Sequence, residues 1–516
     1  MIKEVDLMQE MQNALDDTLK SESTFDSDGA SETDSLKTDV KQSVTDKLMT
    51  LNPALKYLGF SLLMAYHYVM WFNPCSFFKT DLLAANITTS WLFNLAGTAL
   101  VMIGVSFYLG RKKHLSDYPW AIRSTAICLM LTTALLLYGA PLILDSALIY
   151  LLSFITGGFE GLMWILWGET LTQARAKFSV IHIGVVFGVT VLVTMLIALI
   201  IPAGFMPIYI LFLIAVSAFF LYAQKSALSQ TYPVLLPRDT VKPALTSVFA
   251  VCSVGCFTGI ASYYLVAIVP WEHFAMGEYI FVTGVIVGAL LILLVSGLSV
   301  ALKIQASMFK LFPYFLVFAI VGLSIFLAGS ILEPLSFVVG LSIASLLEVS
   351  LLMYFGTLMQ RGFFAPALAL ALSVASIRIG IAIGNCIGLF YETFPDLAVI
   401  AVDPTTLLFI CVLAFVLVPV VRCESRFVAL TTAPVAPAEI DTICNQIIAE
   451  FKLSEREGEI LKFIARGNTV NSIASKLVIS PHTVNTHIRH IYDKVGIHKR
   501  GELVEYINMK KEEKIG

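Results

Sequence analysis

The chain has 516 residues, of which 57% are hydrophobic and 14% are charged. Average soluble domains carry about 25% charged residues, and a mean hydropathy of +0.82 leaves too little polar surface to enclose a water-soluble core. This composition excludes an ordinary soluble protein. The eight cysteines show no CxxC pair and no zinc spacing, so the sequence predicts no disulfide framework, no metal and no cofactor. No nucleophile–base pair or phosphate loop is present, which argues against an enzyme.

Charge divides the chain into three parts. Residues 1–50 hold five Lys or Arg against twelve Asp or Glu, whereas residues 450–516 hold twelve against nine and four of the eight histidines. The intervening apolar part is nearly neutral. We therefore predict an acidic N-terminal segment (1–50), a membrane domain (51–425), a linker with a connecting helix (426–449) and a basic C-terminal domain (450–516).

The acidic segment is rich in Ser, Thr and Asp over residues 21–46. Such a composition cannot bury enough apolar area to offset the entropy of ordering, which predicts disorder. No apolar run with a basic flank opens the chain, so we expect no cleaved signal peptide and a cytoplasmic N-terminus.

The central part is a series of apolar runs of about 19–25 residues, the length that crosses a bilayer as a helix. Twelve spans are predicted, near residues 54–72, 88–110, 119–138, 146–169, 178–201, 204–222, 244–269, 278–301, 308–330, 334–358, 366–390 and 404–421. Membrane lipid is thus a predicted partner.

The loops between these runs predict the orientation, because cytoplasmic loops are enriched in Lys and Arg. Eleven Lys or Arg residues lie in one set of loops, and only Lys79 lies in the other, which carries seven acidic residues. Both termini are therefore expected in the cytoplasm, with the protein in the cell membrane of a bacterium.

The two halves of the membrane domain resemble each other. FEGLMWILWG (159–168) and LEVSLLMYFG (347–356) align Glu160 with Glu348 and their final glycines. Repeated six-helix halves with a site at their interface are a known transporter plan. In this topology the domain resembles the major facilitator superfamily, although its basic loop GRKKHLSDYP (110–119) matches that superfamily only in position and charge.

Charged residues within spans are energetically costly and usually functional. In the superfamily the first, fourth, seventh and tenth spans line a central cavity. The resemblance, together with the charged residue of the eleventh span, gives these ligand-sensing candidates: His67, Glu160, Trp164, Tyr263, Tyr264, Glu348 and Arg378. Two interpretations stay open for Glu348 and Arg378: a buried pair that only locks neighbouring helices, or a ligand- or proton-linked role. Glu160 has no evident basic partner in its own half, which makes it the preferred ligand contact.

The C-terminal part contains strong helix signals. Ser454 and Glu457 form a capping box before an amphipathic run, and Ser480-Pro481 opens a later helix with Ser at the cap and Pro at the first position. Val484, Ile488 and Ile491 repeat at helical spacing, leaving polar and basic side chains on the other face. Two helices with a tight turn and such an outward face indicate a helix-turn-helix.

Residues 453–507 closely resemble the LuxR-type four-helix DNA-binding domain of bacterial regulators. The matching positions include Glu457, Glu459, Leu461, Gly467, Ile473, Ala474, Leu477, Ile479, Ser480, Thr483, Val484, His487, Ile491, Lys494, Gly496 and Arg500. The resemblance implies that the third helix enters the major groove of double-stranded DNA. It places Asn485, Thr486 and Arg489 at base edges. Thr483, His487 and Lys494 would lie nearer the phosphates.

In this family the fourth helix dimerises, so the resemblance implies a homodimer on DNA. The fourth helix of this chain offers a short apolar stripe as the dimerisation candidate, composed of Leu503, Val504 and Ile507.

The sequence thus predicts an all-α protein, a membrane bundle of about twelve spans in two six-helix pseudo-repeats followed by a four-helix helix-turn-helix domain. The favoured function is a one-component transcription regulator whose membrane domain senses an unknown small molecule. The alternative is a secondary transporter of the major facilitator type with a regulatory DNA-binding tail.

Overall fold

The structure is a computed structural model. It describes residues 55–432 and 437–507, apart from 78–85, 112, 144, 227–231, 237–240, 242–243, 270–273, 276, 302–307, 466–467, 469, 498–501 and 504–505. The acidic segment 1–50, with its predicted disorder, lies outside these residues. Every regular element in the described part is helical, which confirms the predicted all-α class.

Twelve long helices occupy the positions of the predicted spans. In the first half they are α1 (Leu55–Phe72), α2 (Ile87–Leu109), α3 (Ala121–Ala134, extended by further helical turns to Leu142), α4 (Ser146–Gln173), α5 (Val185–Ile200) and α6 (Met206–Ser226). In the second half they are α7 (Leu245–Ile268), α8 (Tyr279–Ala301), α9 (Phe312–Leu327), α10 (Glu333–Gln360), α11 (Pro366–Thr393) and α12 (Pro395–Thr432).

Within the described residues, ten of these helices are long and apolar enough to cross a membrane. The other two are α9, which is apolar but only 16 residues long, and α1, whose apolar pattern is interrupted by the polar run Tyr66–Tyr68. The chain therefore contains a multi-pass helical membrane bundle, with ten candidate spans where the sequence predicted about twelve.

The two halves repeat the same helix pairings. In the first half α1 packs on α5, α2 on α4 and α3 on α6. In the second half α7 packs on α11, α8 on α10 and α9 on α12. The halves meet mainly where α2 contacts α11 and α5 contacts α8. This arrangement agrees with the two six-helix pseudo-repeats predicted from the sequence.

Glycines allow α2 and α4 to approach closely. A Cβ atom added to Gly157 would lie 2.0 Å from the carbonyl oxygen of Asn94, and one added to Gly97 would lie 2.0 Å from that of Phe154. No side chain fits at either position. Small residues of this kind let helices pack tightly where lipid supplies no hydrophobic drive for association.

Helix α12 is longer than the span predicted at 404–421. It begins at Pro395, continues through Pro404 and Pro419 and ends at Thr432. A proline inside a membrane helix is tolerated where neighbouring groups satisfy the freed backbone carbonyl. At 38 residues the helix is about 57 Å long at 1.5 Å per residue.

The C-terminal part contains α13 (Pro437–Glu450), α14 (Glu455–Ala465), α15 (Val470–Leu477) and α16 (Pro481–Val495). These helices share an apolar core of their own, which includes Ile447, Ile460, Leu461 and Ile488. We call this unit the tail. Its separate core is a reason to expect that residues 437–507 fold without the membrane bundle.

Candidate functional site

The third helix of the tail, α16, has two faces. Val484 and Ile491 are fully buried against the core, and Ile488 is nearly so. The helix begins as predicted, since the Ser480 hydroxyl accepts a hydrogen bond from the Thr483 N–H at 3.0 Å. It ends at Gly496, whose φ of 78° is the left-handed conformation common at helix ends.

The opposite face of α16 carries the predicted base readers. Asn485, Thr486 and Arg489 are all exposed, and Asn485 and Arg489 lie four residues apart, about one helical turn. Arginine can bond guanine through two hydrogen bonds, and asparagine can bond adenine in the same way. This exposed face is therefore chemically able to read base edges.

The residues expected near DNA phosphates differ in how far their side chains are free to contact DNA. Thr483 and His487 are only partly exposed, and Thr483 is part of the helix cap. The ammonium of Lys494 lies 2.7 Å from a carboxylate oxygen of Glu457. Lys494 therefore links α16 to α14 through an ion pair, a structural role that was not predicted from the sequence.

Glu457 stabilises the tail through several contacts. Its carboxylate accepts a hydrogen bond from the Ser454 N–H at 2.7 Å, while the Glu457 N–H donates to the Ser454 hydroxyl at 3.3 Å. These bonds confirm the predicted capping box. Burial alone would raise the pKa of Glu457, but the hydrogen bonds from Lys494 and Ser454 outweigh it and lower the pKa below its ordinary value.

We expect the tail to lose stability in acid because of Glu457. A carboxyl group with a lowered pKa in the folded state stabilises it above the ordinary pKa of about 4.5, and this contribution is lost as the pH falls through the folded-state pKa. Glu457→Gln should cost about 1–3 kcal/mol at neutral pH and flatten the acid dependence. Urea unfolding of residues 437–516 from pH 3 to 7 measures both effects.

Glu459 provides the matched control for this experiment. Its carboxylate pairs with Arg456 at 2.6 Å, but both side chains are more than a third exposed, and exposed pairs contribute about 0–1 kcal/mol. Glu459→Gln should therefore change stability little. Equal losses from the two variants would contradict the role assigned to Glu457.

The predicted dimerisation stripe is wrong for two of its three members. Leu503 is fully buried and Ile507 is 6% exposed, both within the core of the tail. Val504 lies outside the described side chains. Apolar residues at helical spacing bury equally well inside a domain or between two domains, and here the domain's own core uses them.

The membrane bundle contains a buried cluster of charged residues. A terminal guanidinium nitrogen of Arg378 lies 3.0 Å from a carboxylate oxygen of Glu160. The ring of His67 contacts the same oxygen at 3.0 Å. Arg378 is 2% exposed and Glu160 is fully buried. We call the group formed by His67, Glu160, Glu348 and Arg378 the charge cluster.

The pairing within this cluster differs from the prediction. Glu160 was expected to lack a basic partner in its own half, yet it contacts His67 from that half and Arg378 from the other. Glu348 also reaches Arg378, but at 3.9 Å. Its second oxygen accepts a hydrogen bond from the Tyr68 hydroxyl at 2.7 Å. The pseudo-equivalent Glu160 and Glu348 thus converge on one arginine.

His67 connects the charge cluster to an aromatic wall. The indole N–H of Trp91 donates to Nε2 of His67 at 3.4 Å. The other ring nitrogen, Nδ1, faces the Glu160 carboxylate. The cluster thus holds two carboxylates, Glu160 and Glu348, beside one guanidinium, Arg378.

The remaining candidates divide between the cluster and its surroundings. Trp164 is buried and lies under the Arg378 guanidinium at 5.8 Å, and Tyr263 faces the same region. Tyr264 is turned away, since its hydroxyl bonds the backbone of Val402 and the hydroxyl of Thr406 in α12. The expectation that Tyr264 lines the central site is therefore wrong.

Three neighbours of the cluster were not predicted as site residues: Tyr68, Trp91 and Thr98. Each touches a charged or polar member of the cluster. A sequence signal existed only for Tyr68, which follows the Tyr66-His67 pair directly. Trp91 and Thr98 belong to α2, a helix whose contact with the centre depends on the packing of the two halves.

A cavity of about 510 Å³ lies between the cluster and one end of the bundle. It is lined by the ends of α1, α2, α7, α8, α11 and α12, at the end whose loops are poor in Lys and Arg. We call this cavity the vestibule and this end the acidic end. Phe72, Trp91 and Tyr263 line both the vestibule and the space beside the cluster, so these aromatic rings separate the two.

The opposite end, which we call the basic end, is closed by contacts between the halves. The Gln360 amide donates to the carbonyl of Leu171 at 3.0 Å. The Thr357 hydroxyl donates to that of Phe178 at 3.3 Å. Leu236, in the connection between the halves, bonds both Arg111 in the first half and Gly362 in the second. Among the described residues, the two halves are therefore in contact at the basic end, and the vestibule lies at the acidic end.

Comparisons with known proteins support the assignment of the tail. The family model of bacterial regulatory proteins of the luxR family matches residues 452–507. The oxygen regulatory proteins NreC of Staphylococcus aureus strains JH9, JH1 and Mu3 are each 49% identical over 59 residues. That match spans 11% of this chain and 27% of these relatives, so it concerns the tail alone.

A solved structure is similar to the membrane bundle. The nucleoside transporter NupG, solved as a point mutant, aligns with a TM-score of 0.43 and 15% sequence identity, over 73% of this chain and 98% of that chain.

The tail therefore has the sequence of a luxR-family domain, a helix-turn-helix core and an exposed polar face on α16. Its identity as a domain of this family implies binding to double-stranded DNA. Residues 452–507 are a LuxR-type DNA-binding domain, carried by a chain that is also a multi-pass helical membrane protein.

Proposed function

We propose that this protein is a membrane-embedded one-component transcription regulator. In this proposal the membrane bundle binds a small molecule, and the tail binds promoter DNA as a dimer. The observation that carries the proposal is the extent of α12, which lines the vestibule at Ala398 and Val402 and continues to Thr432, shortly before the tail begins. Neither part of the chain points to an enzyme.

The acidic end would face outward, with both termini in the cytoplasm of a bacterium. The support for this orientation is the distribution of Lys and Arg, which are enriched in cytoplasmic loops. The vestibule would then receive its ligand from outside the cell, and the tail would meet DNA inside it. The domain limits 1–50, 51–425, 426–449 and 450–516 belong to the same proposal.

Helix α12 gives the signal a physical route. Near its other end, the backbone carbonyl of Leu430 accepts a hydrogen bond from Arg361, the residue that ends α10, at 3.2 Å. Glu348 of the charge cluster belongs to α10 as well. A ligand that binds one arrangement of these helices more tightly shifts the bundle toward it, and the linker to the tail moves with α12.

Glu348→Gln tests the sensing role. Glu348 is the more accessible acid of the cluster, with its side chain 13% exposed against 0% for Glu160, and it lines the space behind the aromatic rings. We expect this variant to reach the membrane at normal levels and to bind DNA. It should lose most of its reporter-gene response to culture extracts that induce the reporter with the unchanged protein.

Ser350→Ala is a matched control, since this hydroxyl lies on the same helix and bonds only its own helix backbone among the contacts described. It should respond normally. A normal response from Glu348→Gln, at equal membrane levels, would remove Glu348 from the sensing site. Loss of DNA binding in that variant would instead indicate a structural role.

A secondary transporter with a regulatory tail is the second candidate. The observation that favours it is the His67–Glu160–Arg378 network, because buried ionisable chains of this kind serve as proton relays in transporters. Accumulation of the inducing compound in membrane vesicles, dependent on a proton gradient, would support transport. Induction without accumulation would support the regulator.

A further inference from the structure

The vestibule has the chemistry of a site for a positively charged ligand. Seven aromatic side chains line it, which brings several rings to one cavity. The aromatic lining residues are Trp71, Phe72, Phe77, Trp91, Tyr263, Phe281 and Tyr391. At about 510 Å³ the cavity falls within the usual size of small-molecule sites.

The charged side chains described in the lining of the vestibule are acidic. Glu278 and Glu392 line it, and no Lys, Arg or His is among its described lining residues. Beyond the aromatic rings, the charge cluster holds two carboxylates, Glu160 and Glu348, beside one guanidinium, Arg378. A cavity lined by one sign of charge concentrates ligands of the opposite sign.

Ring faces and carboxylates act together on a cation. The negative face of an aromatic ring attracts ammonium groups, most strongly in the case of tryptophan. The ring centroids of Trp91 and Tyr263 lie 5.3 Å apart, and those of Trp91 and Phe72 also lie 5.3 Å apart. These three rings form the floor of the vestibule, directly above the charge cluster.

We propose that the vestibule binds a small organic cation, a protonated or quaternary amine that carries an aromatic or alkyl group. The inference rests on the proposed function insofar as the vestibule is the sensing site, and it names the ligand's chemical class. The ammonium group lies against the rings of Trp91 and Tyr263, and the two carboxylates at the mouth attract it from solution.

Three probes of equal carbon number test the charge preference: 2-phenylethylammonium, neutral 2-phenylethanol and anionic phenylacetate. Binding to the purified full-length protein in detergent is measured by intrinsic tryptophan fluorescence and by the shift in thermal unfolding. We expect the cation to bind about tenfold more tightly than the alcohol, as expected for a desolvated ammonium on aromatic rings. The anion should bind most weakly.

Variants locate the effect in the vestibule. Glu278 and Glu392 are exposed, so replacing both by glutamine should leave the fold intact and, because exposed charges are screened, reduce cation affinity only about three- to tenfold. Trp91→Leu should reduce it further and leave alcohol binding less affected. Asp396→Asn, an exposed acid at the same end that does not line the cavity, is the matched control and should change nothing.

The outcomes separate this inference from the proposed function. Equal responses to the three probes, including no response to any, would overturn the cation preference, as would tighter binding of the anion. Cation binding without any reporter response would support the cation preference of the vestibule and contradict the proposed regulatory function. A reporter response to an anionic or neutral inducer would support the regulator and overturn the inference.

Discussion

Replacing Arg378 by leucine is expected to destabilise the membrane bundle by about 3–5 kcal/mol, the usual cost of leaving a buried charge without its partner. Arg378 is 2% exposed and lies 3.0 Å from Glu160, which is fully buried. Removal of the guanidinium leaves two carboxylates, Glu160 and Glu348, facing each other across the halves. Thermal unfolding of the purified protein, followed by tryptophan fluorescence, measures the loss.

A second substitution identifies the principal partner of Arg378. Arg378→Leu combined with Glu160→Gln should recover most of the lost stability, because the uncompensated charge is removed with its partner. Arg378→Leu combined with Glu348→Gln should recover less, since Glu348 lies at 3.9 Å and keeps its bond from Tyr68. Equal recovery in the two double variants would contradict the pairing described.

The same contacts change the expectation for Glu160 itself. The sequence favoured Glu160 as a ligand contact whose replacement leaves folding intact. Glu160 instead anchors both His67 and Arg378, so Glu160→Gln should destabilise the bundle. Of the two pseudo-equivalent acids, Glu348 is the one left partly accessible.

The sequence could predict the helices but not which charged residues meet. Apolar runs and loop charges depend on local composition, and the twelve long helices lie where the runs predicted them. The contact of Arg378 with Glu160 depends on the packing of α11 against α2 and α4 across the two halves. Neighbouring spans favoured Glu348 as its partner, and only the tertiary structure favours Glu160.

In the tail, too, the sequence predicted the helices better than it predicted which surfaces they bury. Helical spacing correctly placed Val484 and Ile491 in the core, and the capping box fixed the start of α14. For Leu503 and Ile507, spacing alone could not distinguish a surface stripe from a core stripe, because both bury one face of a helix. A dimer of the tail would therefore need a surface other than these two residues.

Helix α12 is longer than the span predicted at 404–421, and it contains two prolines. In soluble helices an internal proline removes a hydrogen bond and commonly ends the helix. Here Pro404 and Pro419 lie inside one helix that reaches Thr432. The consequence is functional, since one continuous helix extends from the vestibule wall to a point shortly before the tail.

Replacing Arg489 by alanine should weaken binding to a selected operator by about 1–3 kcal/mol, or roughly 5- to 150-fold, if its guanidinium bonds a base edge. The operator is first enriched from random duplexes with the purified tail. Arg489 is exposed on the face of α16 opposite the buried Val484 and Ile488, so its loss should leave the fold of the tail unchanged. Affinities are measured by fluorescence anisotropy on operator and on random DNA at several salt concentrations.

The comparison between the two kinds of DNA decides the role of Arg489. A base contact predicts a large loss on the operator, a small loss on random DNA and relaxed preference at one base pair. A phosphate contact predicts similar losses on both, together with a salt dependence reduced by about one charge. Lys462→Ala removes a positive charge from α14 rather than from the recognition helix, so it should lower both affinities slightly and leave their ratio unchanged. Only a fall in that ratio with Arg489→Ala assigns the guanidinium to sequence recognition.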